Sequence, residues 1–63
     1  MVFAEFSRVI LVRDIEEDGV TFPKGTRGVI VEVRDDGINY LIEINDPTFA
    51  VISVTEDDLS PFD

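Results

Sequence analysis

The chain contains no cysteine, no histidine and no tryptophan. Without cysteine there is no disulfide and no thiolate metal site. Without histidine, the commonest zinc ligand and the usual general base at neutral pH are both missing. Bases are scarce: five Lys and Arg stand against fourteen Asp and Glu, for a formal net charge of -9. Long apolar runs are missing as well. The longest, Val9 to Val12, falls far short of the roughly 20 residues that span a bilayer, so no membrane association is expected. The opening MVFAEF has neither the basic region nor the apolar core of a secretion signal, and a cytoplasmic location is expected.

What remains is enough for one small domain over residues 1–63. A chain of 63 residues buries only about 60% of its unfolded surface, so its core is small unless association adds to it. The hydrophobic fraction of 44% is ordinary for a folded protein. Charge is unevenly placed. Residues 1–34 hold six acids and all five bases, a net of -1, and residues 35–63 hold eight acids and no base, a net of -8. Such asymmetry steers basic surfaces towards the second half.

Short apolar runs separated by Gly, Pro and Asp clusters predict an all-β domain. The first strand is expected over 7–14, followed by a long loop with Gly19, Pro23 and Gly25 as turn residues. In 26–34, Val29, Val31 and Val33 alternate with Glu32 and Arg34, Ile30 excepted. That pattern predicts a strand with the three valines on its buried face. Asp36-Gly37 is a type I′ hairpin signal, with Gly37 at its second position. A third strand is expected over 38–44, alternating Ile38, Tyr40, Ile42 and Ile44 with Asn39, Leu41 and Glu43. A turn at Asn45 to Thr48 leads to a fourth strand over 49–54. Thr55 and Asp58 are spaced to cap one helical turn, with Leu59 returning to the core and a short last strand over 60–62. Four to five antiparallel strands with a helical turn before the last describe a small SH3-like barrel, which closes its sheet and so limits exposed edges.

The segment LVRDIEEDGVTFPKGTRGVIVEV, then YLIEI, then VTEDDL, resembles the short bacterial proteins grouped as domain of unknown function 4926. Asp14-Ile15, Glu17, Gly19-Val20, Gly25, Gly28, Val29, Tyr40, Glu43 and Leu59 follow that family's order over roughly residues 8–60. Glu16 stands where the family has proline, and Thr21-Phe22-Pro23 fill the loop more bulkily. The resemblance implies an SH3-like barrel and no particular activity. KGTRGVIVEV also looks like the glycine turn of small RNA-touching barrels in ribosomal and transcription-elongation proteins.

Gly25 is expected to supply a positive-φ turn, and Gly28 a bulge or a close approach between strands. Around them Arg8, Arg13, Lys24, Arg27 and Arg34 are the candidate basic patch. Five bases among fourteen acids make nucleic-acid binding an unfavoured use of it. Asp14 to Gly19 has the first half of a calcium loop, but Gly25 stands where the bidentate Glu belongs. Neither a metal nor another cofactor is expected. Ser7, Ser53 and Ser60 have no partner base, and a chain of this size encloses no pocket of the usual roughly 300 Å³ or more. Enzyme activity is not expected.

Two classes of function follow. One is a binding module for a basic protein, of the inhibitor or adaptor kind. Its acidic face would comprise Asp35, Asp36, Glu43, Asp46, Glu56, Asp57 and Asp58, with Phe22, Tyr40 and Phe49 as apolar anchors. The other is a self-associating or accessory domain that docks through its barrel edge or through the N-terminal MVFAEF segment with Phe3 and Phe6. An RNA-contacting barrel is the remaining alternative.

Overall fold

Alternating residues make a strand only when a second strand lies beside them, and here the partners come from distant parts of the chain. The structure, a computed structural model, describes residues 3–34, 38–46 and 48–62. Five strands form one antiparallel sheet: Arg8–Leu11 (β1), Arg27–Val33 (β4), Asn39–Ile44 (β5), Ala50–Thr55 (β6) and Leu59–Pro61 (β7). Their spatial order is β6-β5-β4-β1-β7. The sheet packs on the buried core, and a 3₁₀ turn precedes β7. Among the described residues no helix is long and apolar enough to cross a membrane.

The segment expected to be a long loop contains a further hairpin. Ile15–Glu17 (β2) and Val20–Phe22 (β3) pair antiparallel as a second, two-stranded sheet. Glu17 sits opposite Val20, leaving Asp18 and Gly19 as a two-residue turn, both at positive φ (53° and 79°). Positive φ at both central residues defines a type I′ turn, for which Asp-Gly is a favoured pair. The Asp36-Gly37 signal lies outside the described residues, although β4 and β5 on either side of it do pair.

Strand β4 corrects the expected burial. Gly28 and Ile30 face the core, while Val29, Val31 and Val33 are half-buried. The cause is a β-bulge. Ile30 pairs with Ile42 and Val33 with Tyr40, so three steps on β4 match two on β5. One extra residue reverses the parity. Ile30 therefore points inward before the bulge, and Val33 packs against the core after it. A strict alternation cannot do both.

The core contains Phe3, Val9, Leu11, Phe22, Ile30, Tyr40, Ile42, Ile44, Ile52, Val54 and Leu59. Phe22 arrives from the β2–β3 hairpin and Phe3 from the segment before β1. Phe3 meets Tyr40 edge to face at 5.7 Å between ring centroids. Its backbone N–H donates to the Tyr40 hydroxyl at 3.1 Å, so the buried phenol ties the N-terminal segment to β5.

Two substitutions test this arrangement by urea unfolding. A Cβ on Gly28 would lie 3.1 Å from the Glu43 carbonyl oxygen and 3.3 Å from Ile42 Cδ1. Gly28→Ala should therefore destabilise the fold by about 1–3 kcal/mol through overpacking. Tyr40→Phe leaves the buried Phe3 N–H without that acceptor and should cost about 1–3 kcal/mol. Wild-type midpoints in both variants would contradict this account of the core.

Candidate functional site

A basic groove on the outer face is built by three segments. At the turn before β4, Thr26 N–H donates to the Pro23 carbonyl at 3.0 Å, and Gly25 has φ +95°. Glycine takes that conformation without the strain a side chain would add. The turn is fastened to the end of β1. Gly25 N–H donates to Leu11 O and Leu11 N–H to Thr26 O, each at 2.9 Å. The Asp14 carboxylate accepts from Lys24 N–H at 2.7 Å. Lys24 is thereby held beside β1 and β4, whose outward residues include Arg8 and Arg27. The Arg27 guanidinium stacks over the Phe62 ring, 4.4 Å from its centroid. The resulting groove has a volume of about 780 Å³ and is open to solvent. Arg8, Lys24, Arg27, Glu43, Asp46 and Phe62 line it.

The five bases therefore do not form one patch. Arg13 lies elsewhere, with its Nε 3.4 Å from Asp58 Oδ1 and its guanidinium donating to the Asp57 carbonyl at 3.1 Å. Arg34 pairs with Glu32 at 3.7 Å on the exposed side of β4. Among the described residues, Arg8, Lys24 and Arg27 make no ion pair, although two carboxylates line their groove.

The expected acidic face is also divided. Glu43 and Asp46 line the basic groove, whereas Glu56, Asp57 and Asp58 form the 3₁₀ turn Glu56–Asp58 beside Arg13. Asp35 and Asp36 lie outside the described residues. Asp58 Oδ2 accepts from Thr55 N–H at 2.9 Å and from the Thr55 hydroxyl at 3.2 Å. That carboxylate closes the turn and aims Leu59 inward, so it is committed to the fold. In the Asp14–Gly19 stretch, Asp14 is occupied by Lys24 N–H. Among the described residues no group of three or more carboxylates, Asp14, Glu16 and Asp18 included, is placed to hold a metal ion.

Of the three expected anchors, two are buried. Phe22 is 2% exposed and Tyr40 0%, so neither offers a surface. Their burial follows from the hairpin and the bulge, which turn both rings inward. Phe49 is 64% exposed. It stands with Val20 and Val51, both exposed, around a slot of about 280 Å³ between the β2–β3 hairpin and β6. Glu17 and Asp18 rim the same slot. Only one of the two N-terminal aromatics covers the core: Phe3 is buried, whereas Phe6 is exposed. Gly25 has the expected positive φ, the turn glycine Gly19 has one as well, and of the two roles expected for Gly28 the structure has the close approach.

Sequence reasoning missed Glu17, Asp18, Val20 and Val51 as neighbours of Phe49. The Asp18-Gly19 pair was the available signal, because a hairpin there brings Val20 and Glu17 face to face. Compared with protein-family models, curated proteins and solved structures, the chain matches none.

The structural role of Asp58 is testable. Asp58→Ala removes two hydrogen bonds and one ion pair, and should lower stability by about 1–2 kcal/mol in urea unfolding. Asp57→Ala keeps the carbonyl that Arg13 uses and should change it little. Equal effects would deny the capping role.

Proposed function

We propose that this chain is a protein-binding module that holds a basic partner at the slot between the β2–β3 hairpin and β6. The observation that carries the reading is the grouping of exposed Phe49, Val20 and Val51 with Glu17 and Asp18. Three exposed apolar side chains around one concavity make a place for an apolar anchor. Carboxylates at its rim attract a cation next to that anchor and repel acidic competitors. The complementary feature is therefore an extended segment with an apolar residue flanked by Lys or Arg. The net charge of -9 adds a long-range pull on such a partner and favours rapid association. An inhibitor or adaptor acting on a basic protein has this chemistry. In this reading the acidic residues of the β2–β3 hairpin, rather than Glu56 to Asp58, meet the partner.

Selection from a random peptide display library tests the proposal directly. Enriched sequences should combine Lys or Arg with a large apolar residue. Their binding should weaken by about tenfold or more with Phe49→Ala or with Asp18→Asn, which keeps a turn-compatible residue and removes the charge, and it should fall as salt is raised. Acidic winners, or equal binding by both variants, would sink the reading.

Phe6 supports a second reading, self-association. It is 73% exposed and sits at φ 67°, a region where a bulky side chain is strained. Phe6→Gly should raise monomer stability by about 1 kcal/mol by relieving the backbone. If Phe6 forms a subunit contact, the same change should shift wild-type oligomers to monomer in sedimentation at micromolar concentration. Wild-type protein that is monomeric under those conditions excludes this use of Phe6.

A further inference from the structure

We infer that the basic groove is a second binding site, for a small ligand carrying one phosphate monoester with hydroxyl or amine donors close to it. Arg8, Lys24 and Arg27 come from three separate segments, β1, the Pro23–Thr26 turn and β4, and converge on one concavity. In a chain with fourteen acids, three cations without an ion pair among the described residues require a local cause. For Arg8 the cause is the sheet register, whereas Arg27 is a diagonal neighbour of Glu43 and stacks instead on Phe62. Arg8 faces Val29, and Val29 faces Glu43, so the arginine and the carboxylate stand two strands apart, about 10 Å between Cα atoms. Stacking on Phe62 fixes Arg27 and leaves the edge of its guanidinium as a donor.

The cations are spaced for one tetrahedral anion. Arg27 is paired with Ile10 and Arg8 with Val29, which makes the two arginines diagonal neighbours, about 7–8 Å apart on the sheet. Two guanidinium groups on such positions can converge on the oxygens of a single phosphate, and Lys24 approaches it from the turn. A carboxylate is satisfied by one arginine fork and would leave two cations unused. A nucleic-acid strand presents the opposite problem. Its further phosphates would meet Glu43 and Asp46, while Arg13 and Arg34 are engaged elsewhere. Ionised Glu43 and Asp46 only accept hydrogen bonds, so the body of the ligand must supply O–H or N–H groups. A mononucleotide and a sugar phosphate both have that chemistry.

The test is a titration of the isotope-labelled chain, followed by amide NMR, with AMP, glucose 6-phosphate, inorganic phosphate and adenosine in turn. The three phosphates should shift Arg8, Lys24, Gly25 and Arg27 saturably, and adenosine should not. The monoesters should bind about tenfold more tightly than inorganic phosphate, and Arg8→Gln or Arg27→Gln should remove about tenfold of monoester affinity. Glu43→Gln should tighten inorganic phosphate and reduce the preference for the monoesters, a pattern that general unfolding cannot produce. The same spectra report whether each variant is folded. Stronger binding of AMP assigns a nucleotide, and stronger binding of glucose 6-phosphate a sugar phosphate. No saturable shift below about 10 mM of any phosphate overturns the proposal. So does affinity that climbs with length in a series of RNA oligonucleotides.

Discussion

Much of the architecture depends on which side of β4 faces inward. Gly28 and Ile30 point to the core, and a Cβ at Gly28 would crowd the Glu43 carbonyl at 3.1 Å, closer than such contacts usually are. Arg27 and Val29 are thereby turned outward, into register with Ile10 and Arg8 on β1. The outer face of the sheet, and the basic groove on it, are consequences of that one contact. Two residues later the bulge restores an inward side chain at Val33, so the same strand serves the core along its whole length. Glycine and bulge act together: one sets the face and the other corrects it.

Stability and charge are largely separate in this molecule. Among the described residues the fold rests on eleven buried apolar side chains, each worth about 1.5–3 kcal/mol for the larger aliphatic and aromatic ones before ordering costs are subtracted. The two ion pairs of the described residues lie at the surface, where such pairs contribute about 0–1 kcal/mol. Asp58 and Asp14 are exceptions because their carboxylates accept backbone N–H groups and fix turns. Among the described residues Arg8, Lys24 and Glu17 make no ion pair, so their side chains are free of that structural role, whereas Asp18 holds the positive-φ position of the β2–β3 turn.

The fold class was legible in the residues, because period-two runs and Gly, Pro and Asp punctuation are local signals. Five of the seven strands fall where those runs lie, and Thr55, Asp58 and Leu59 behave as their spacing predicts. The burial of β4 was not legible. Gly-Val-Ile-Val reads equally well with either parity, and the choice is made by β5, which lies elsewhere in the sequence. The β2–β3 hairpin was hidden by its shortness, since three residues give too little alternation to register as a strand. Phe22 fell in a stretch that reads as a loop and so carried no label for its side of the sheet, whereas the alternation with Ile42 and Ile44 already put Tyr40 on their face, against its use as a surface anchor. Likewise, acids clustered in the second half of the sequence became separated in space. β5 sends Glu43 to the groove, and the 3₁₀ turn holds Asp58 beside Arg13.

Arg8, Val29, Glu43 and Val51 form a single row across β1, β4, β5 and β6. Three strand spacings make it about 14 Å long. One end is cationic and belongs to the groove, whereas the other is apolar and belongs to the slot, with Glu43 between them. A carboxylate in that position repels an anion that would drift towards the slot, and it attracts a basic segment seated there. On the two proposals, ligands of opposite charge would occupy the two ends without competing. Their mutual attraction would be small, because the row exceeds the Debye length of about 8 Å at physiological salt. Glu43 would then do more to keep the two kinds of ligand apart than to couple them.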